Sequence, residues 1–415
     1  ERWQKCYLKP SNTLHMKKII FYLLFGLTLV CSKTYAQNKI DKPALDTLLK
    51  IAEQTQTDGL VIYQDGKLYG EYYFGKEPKQ IEAMSSTKSI VNLAIGKLIT
   101  DGLLTSIDQP VYEFYPEWKQ GMKKDITIRH LLNHTSGMQN FPNTSVEIYP
   151  SPDFVKLALA AEITDKPGTK FSYNNKAVNL LGGIVRVLTR KRIDNYLYEK
   201  IFEPMGIDDF DWTADEDGNP HCMSGFKVQP RDLAKLGQLY IQKGNWNGKQ
   251  LINADWFDET GTPNKLNPEC GLLWWVEYDN IKAIIDDKQI DTLKKTGFDD
   301  IVLNKIKAIK GTYSTREFLP VFTEKIVNTT PDWMTKYVPL LTSKGMQVSR
   351  KEYGNIVGYS TRGFLGNYMV VYPGKNLVVV RMISWESFVK GEGKTDGTGV
   401  NNFESFLSLT RNLIK

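Results

Sequence analysis

Apolar residues recur along this chain in two rhythms, and the switches between them mark out its elements. Over residues 84–100, Ile90, Val91, Leu93, Ala94, Ile95, Leu98 and Ile99 fall at helical spacing, which predicts a mostly buried helix. Leu45, Leu48, Leu49 and Ile51 predict an amphipathic helix over Lys42–Gln54. Two β-rich segments, Gly59–Gln64 and 67–74, flank Asp65-Gly66, and Asp-Gly between such runs signals a tight hairpin. Residues 103–116 read as a connector and 125–138 as a short helix ending in a Ser-Gly turn. Residues 176–189 and 230–243 read as longer helices, with a turn at Gly248-Lys249. Residues 366–373 and 376–384 are strands around Gly374-Lys375, and 401–413 closes the chain as a helix.

Strands near both ends with helices between them bring the two ends together in one antiparallel sheet. The expected fold class is therefore α+β: an antiparallel sheet flanked by helices, plus a mainly helical lobe. The sheet lobe takes residues of about 40–100 and 350–415, and the helical lobe about 101–283. Between them, about 284–345 is rich in Lys and Asp yet keeps Ile290, Leu293, Ile301, Leu303, Ile306 and Ile309 at helical spacing. It is too apolar for a disordered linker and reads as an inserted helical module.

The chain has 415 residues, 41% hydrophobic and 24% charged, an ordinary globular composition. Residues 1–15 carry no clear pattern. Met16-Lys17-Lys18, an apolar run from Ile19 to Val30, and Thr34-Tyr35-Ala36 then form a secretory signal peptide over 16–36, with cleavage expected before Gln37. The implied location is secreted or periplasmic. Lipid anchoring at Cys31 is disfavoured, because Val30 stands where a lipobox wants a small residue. Residues 1–36 hold six Lys/Arg and one acid, a net +5 of the +6, which leaves +1 for the single domain expected over 37–415. That balance implies no nucleic-acid partner. Cys222 and Cys270 remain after cleavage, and the sequence leaves their pairing open.

Chemistry concentrates at Ser85-Ser86-Thr87-Lys88. Residues three apart share a helix face, and a desolvated lysine amine can serve as base to a serine. The motif is cheap alone, since Ser224/Lys227 and Ser387/Lys390 match it too. An acid for the leaving group is offered by Tyr173 in Tyr173-Asn174-Asn175, with Asn175 able to hold the lysine or a substrate amide. Tyr278/Asn280 and Tyr353/Asn355 fit that pattern as well. An edge strand should then approach the serine, and Thr361-Arg362-Gly363-Phe364 supplies it, with glycine where backbone meets substrate. In extended conformation Thr361 and Gly363 face one side and Arg362 the other.

With these three motifs in order, the chain resembles the serine β-lactamase-related family, of the class C β-lactamase and penicillin-recognising D-alanyl peptidase type. Connecting segments support the likeness, among them Ile126 to Gly137, Glu203 to Ile207, Gln229 to Gly237 and Gly244 to Gln250. The resemblance covers roughly 45–280 and 355–412. It implies a β-lactamase/transpeptidase-like fold, with Ser85 as acylated nucleophile, Lys88 as its base and Tyr173 as proton relay beside Asn175. The backbone N–H groups of Ser85 and Phe364 would form the oxyanion hole, and Thr361 and Gly363 would meet substrate. No metal or organic cofactor is implied. The expected partner is a small-molecule or peptide-like amide or ester, with cell-wall association open. Thr361 stands where classical members carry Lys or His, so the triad is more similar to the branch of esterases and 6-aminohexanoate-dimer hydrolases. Alternatives are a β-lactamase or D-alanyl-D-alanine carboxypeptidase proper, and a non-catalytic cell-wall or peptide-binding relative.

Other constellations are weaker. His130 and His134 are four apart, but Leu131 stands where the zincin signature needs Glu. Gly358-Tyr359-Ser360-Thr361-Arg362 lacks the second glycine of an α/β-hydrolase elbow. Trp274 and Trp275 suit either a cleft wall or the core.

Overall fold

A computed structural model describes residues 39–414 except Pro142, 392–402 and Glu404; the expected signal peptide lies outside the described residues. Strands β1 (Gly59–Gln64), β2 (Lys67–Tyr72), β3 (Trp275–Tyr278), β4 (Ile356–Gly363), β5 (Asn367–Tyr372) and β6 (Leu377–Met382) form the main sheet. Their spatial order is β2-β1-β6-β5-β4-β3, and every neighbouring pair is antiparallel. Val61 opposite Val380 joins the early and late strands, as the sequence predicts. Asp65 and Gly66 turn at φ of 52° and 75°, the left-handed pair that a tight hairpin between right-twisted strands needs.

The helices that position the site are α1 (Lys42–Gln54), α2 (Thr87–Thr100), α3 (Ile128–Leu132), α4 (Asn175–Thr189), α5 (Pro230–Ile241) and α6 (Phe406–Arg411). Strands β1, β5 and β6 read as unbroken apolar runs because both faces of the sheet are covered. Leu60, Ile62, Val370 and Val379 share a core with Leu48 of α1 and Phe406 of α6. Their chain neighbours Val61, Met369, Val371, Val378 and Val380 share the other core with α2, α4 and α5.

Helix α2 is apolar nearly all round, and every residue from Thr87 to Gly96, with Leu98, is buried. Its polar side chains fasten neighbours. Ser89 Oγ donates to the Leu273 carbonyl at 2.6 Å, and Asn92 Nδ2 donates to the Leu272 carbonyl at 2.9 Å. The segment leading into β3 is therefore tied to the helix that follows Ser85.

Two expectations change. The helix expected over 125–138 shrinks to Ile128–Leu132, because His134 turns left-handed at φ 58°. Thr127 and His130 cap that helix reciprocally, so His130 is occupied in holding its N-terminus. The inserted module is not only helical. Ile281–Ile285 runs between Gly311–Ser314 and Arg350–Tyr353 in a three-stranded antiparallel sheet. Those outer strands are short and polar, which hid them from a hydrophobic pattern. Helices Asp287–Thr296 and Asp300–Lys307 complete a core of their own around Leu293, Leu303, Ile306 and Trp333.

Two buried groups hold irregular backbone near the site. Arg381, on β6 and fully buried, donates to the carbonyls of Leu365 (2.7 Å), Gly366 (2.9 Å) and Thr55 (3.1 Å) and to Thr57 Oγ1 (3.0 Å). It thereby anchors the turn after β4, where Leu365 and Gly366 both have positive φ. His134 is 2% exposed; its Nδ1 accepts the Asn174 N–H at 3.2 Å and its ring lies 4.6 Å from that of Tyr173. Burial, helped by the nearby Lys88, pushes the imidazole down to about 3.

Replacing Arg381 with Leu leaves four buried oxygens without this donor and should cost about 3 kcal/mol or more, read as a lower urea midpoint. An unchanged midpoint would refute its anchoring role. The folded imidazole of His134, at about 3, titrates below its ordinary 6.5, so the unfolded chain binds this proton first. The stabilisation is fully present above pH 6.5 and drains away as pH falls toward 3, at about 1.4 kcal/mol per pH unit between those limits. His134→Asn, compatible with left-handed backbone, should flatten the urea-stability slope between pH 6 and 4 by about that amount.

Candidate active site

The backbone bends sharply just before Ser85. Strand Ile81–Glu82 pairs with Phe226–Val228, Met84 takes φ 51°, and a 3-10 turn over Met84–Ser86 hands the chain to α2. A left-handed methionine is costly and persists only where neighbours fix it. Here Ser86 Oγ donates to the Asn367 carbonyl at 2.9 Å, and Asn367 Nδ2 donates to the Glu82 carbonyl at 3.3 Å. Ser85 thus sits in the turn that enters the helix rather than in the helix itself.

Lys88, one turn on, is 3% exposed. Its Nζ donates to Ser85 Oγ at 3.0 Å and to the Met223 carbonyl at 2.7 Å, and lies 4.9 Å from the centre of the Tyr173 ring. Met223 is itself held, its N–H donating to Asn179 Oδ1 of α4 at 3.0 Å. An amine fixed by two acceptors and an aromatic face has little freedom to leave the serine.

Tyr173 lies in the loop entering α4. Asn174 caps that helix, its Oδ1 accepting the Ala177 N–H at 3.1 Å while its Nδ2 reaches the Met138 carbonyl at 2.9 Å. Asn140 Nδ2 holds the Tyr173 carbonyl at 2.8 Å. The tyrosine ring stands between His134 and Trp275, whose centroid is 6.4 Å away. Asn175 opens α4, and its buried Oδ1 has no hydrogen-bond partner among the described residues.

Strand β4 brings the third motif alongside. A Cβ on Gly363 would stand 2.3 Å from the Ala83 carbonyl oxygen, so only glycine lets the strand approach the residues before Ser85. Phe364 follows, and Asn367 Nδ2 also donates to its carbonyl at 3.2 Å. Thr361 departs from expectation. It is fully buried, its Oγ1 accepts the Met369 N–H at 3.3 Å, and it does not line the cavity. The alternation of the strand places Arg362 there instead.

Arg362 is tightly engaged. Its Nη2 donates to Glu277 Oε1 at 2.8 Å, its Nε to Ser360 Oγ at 3.2 Å, and its guanidinium lies 5.1 Å from the Trp275 ring centre. Ser360 Oγ donates to the same Glu277 oxygen at 2.5 Å. Burial raises the Glu277 carboxyl, but Arg362 and these hydrogen bonds outweigh it and hold the group below the usual carboxylate range.

Ser85, Lys88, His134, Tyr173, Trp275 and Arg362, with Ser89, Cys270 and Leu273, line a narrow cavity of about 10 Å³, room for about one water. Trp274 is in the core against Tyr240, so the two tryptophans divide between core and cleft. Both Cys222 and Cys270 are free thiols, and burial raises each to about 12. The competing motifs part company. Ser224 meets the Tyr149 hydroxyl while Lys227 pairs with Asp211, and Ser387 Oγ donates to Asp58. The hydroxyls of Tyr278 and Tyr353 go to Pro268 and Glu269. Sequence reasoning weighed His134 only as half of a zinc pair and missed its place beside Tyr173, the Met223 carbonyl and the Arg362–Glu277 pair. Only the last left a signal, an acid within the apolar run Trp274-Trp275-Val276-Glu277-Tyr278.

The β-lactamase family profile matches residues 45–396. An uncharacterised protein of Alkalihalophilus pseudofirmus is 23% identical over 278 residues, 58% of this chain and 77% of that protein. Protein Flp of Staphylococcus aureus strain MRSA252 is 26% identical over 187 residues, 41% of this chain and 37% of its own length. Among solved structures, a candidate β-lactamase from Bacteroides dorei superposes with a TM-score of 0.61 at 16% identity, covering 91% of this chain and 99% of that one. A candidate 6-aminohexanoate-dimer hydrolase from Bacillus anthracis gives 0.56 at 16% identity, covering 83% and 79%. A penicillin-binding protein from Bacillus halodurans gives 0.51 at 17% identity, covering 83% and 98%. The structural likenesses establish the β-lactamase/transpeptidase-like fold, and the profile spans most of the sequence. The chain belongs to the β-lactamase family.

Proposed function

We propose that this protein is an exported serine hydrolase that cleaves an amide or ester through an acyl-enzyme on Ser85. The observation that carries the reading is the 3.0 Å contact between Lys88 Nζ and Ser85 Oγ at the wall of a water-sized cavity. Lys88 in its amine form takes the hydroxyl proton as Ser85 Oγ attacks the carbonyl carbon. The oxyanion that forms is received by the backbone N–H groups of Ser85 and Phe364. Tyr173, whose ring centre lies 4.9 Å from the amine, passes its proton to the leaving nitrogen or oxygen and regains one from Lys88. Water then attacks the acyl ester, its proton returning through the same groups, and Ser85 is restored.

Membership in the β-lactamase family and the mutual placement of Ser85, Lys88 and Tyr173 support this reading over a binding protein without turnover. Such a relative has no need of a buried amine aimed at a hydroxyl. The basic, apolar and small-residue order over 16–36 supports export.

A fluorophosphonate probe should leave its adduct on Ser85, located by mass spectrometry after digestion. Ser85→Ala should abolish labelling and lower ester hydrolysis by about 10³-fold or more, and Tyr173→Phe by about 10²-fold. Hydrolysis that survives Ser85→Ala removes the mechanism. N-terminal sequencing of protein recovered from the cell exterior or periplasm should begin at Gln37; retention of the intact chain in the cytoplasm removes the export claim.

A further inference from the structure

Arg362 carries the guanidinium among the cavity-lining residues, so it is the natural partner of a substrate carboxylate. Two of its three nitrogens are already engaged. Glu277, 4% exposed, takes Nη2, and Ser360 takes Nε while also donating to that carboxylate. The face of the guanidinium rests over Trp275. A second carboxylate brought to this arginine meets the fixed charge of Glu277, 2.8 Å from Nη2.

The surroundings agree with this charge balance. Phe364, directly after Gly363, is 57% exposed, and Phe141, directly after the Asn140 that holds Tyr173, is 47% exposed. Tyr149 is 49% exposed, its hydroxyl on Ser224 beside the Met223 that receives Lys88. Each of these exposed aromatic side chains is linked to one of the three motifs through the chain or a hydrogen bond, outside the cavity lining itself.

Resting on the acyl-enzyme reading above, we infer that Glu277 is a specificity-determining residue. By clamping and neutralising Arg362 it selects uncharged, apolar esters or amides and rejects substrates that carry a carboxylate. Glu277 touches no reacting atom; it acts through the arginine as a positioning residue.

The test uses two matched substrates, mono-4-nitrophenyl adipate and its methyl ester, which differ by one negative charge. The native enzyme should favour the methyl ester by about 100-fold in kcat/KM. Glu277→Gln frees the guanidinium and should narrow that ratio by about tenfold or more, chiefly through a lower KM for the adipate. Ser360→Ala loosens the clamp without removing a charge and should narrow the ratio about threefold in the same direction. Fluorophosphonate labelling reports whether each variant retains a formed site. A native enzyme that prefers the adipate, or an unchanged ratio in a Glu277→Gln protein that still labels, overturns the inference. If Glu277→Gln does not fold, an unchanged ratio in Ser360→Ala overturns it. Hydrolysis by Ser85→Ala sinks the acyl-enzyme reading itself, whereas Ser85-dependent hydrolysis with an unshifted ratio sinks only the role of Glu277.

Discussion

Irregular backbone buried next to Ser85 must have its polar groups satisfied, and this fold answers that constraint with two side chains. Asn367, fully buried at the start of β5, donates to the carbonyls of Glu82 and Phe364 and accepts the Ile383 N–H on its Oδ1. Arg381 fills the carbonyls of the next two residues, Leu365 and Gly366. Between them they pin the bend at Met84 and the bend at Leu365, both left-handed. The two N–H groups proposed to receive the oxyanion, those of Ser85 and Phe364, adjoin those two bends. A sheet of regular strands could not present them together, and unsupported loops could not hold them still.

The lysine depends on the same economy of partners. A buried amine is tolerable when acceptors surround it, and Lys88 finds a hydroxyl, a carbonyl and an aromatic face. Each comes from a different stretch of chain: the turn before α2, the loop at Met223, and the loop entering α4. Catalytic geometry and packing are one problem here. His134 contributes as an uncharged wall beside that amine, its proton driven off by burial.

How much of this the amino-acid order reveals depends on distance along the chain. Helix α1, the Asp65-Gly66 hairpin and the serine–lysine pair are local, with periods or spacings of a few residues, and all are readable directly. The sheet uniting β1 with β6 is inferable because apolar runs at both ends need cover. The Arg362–Glu277 pair spans 85 positions, and no local pattern joins them. Thr361 misleads for a related reason. Alternation along β4 says that Thr361 and Arg362 face opposite ways, but which faces the serine depends on the packing of β5 behind them. The polar strands of the inserted module escape because their pairing, not their composition, makes them strands.

That module leaves the sheet after β3 and returns into β4, and these two strands are already neighbours. At its base Tyr278 pairs with Ile356, and the Asp279 N–H donates to the Asn355 carbonyl at 2.9 Å. A hairpin turn would close the gap as well as some seventy residues do, since loop closure grows costly only slowly with length. The insertion can therefore be acquired, elaborated or discarded over evolutionary time without disturbing the register beneath it. The two strands that carry Trp275 and Arg362 keep their pairing whatever stands between them, so the graft is mechanically separable from the cavity wall.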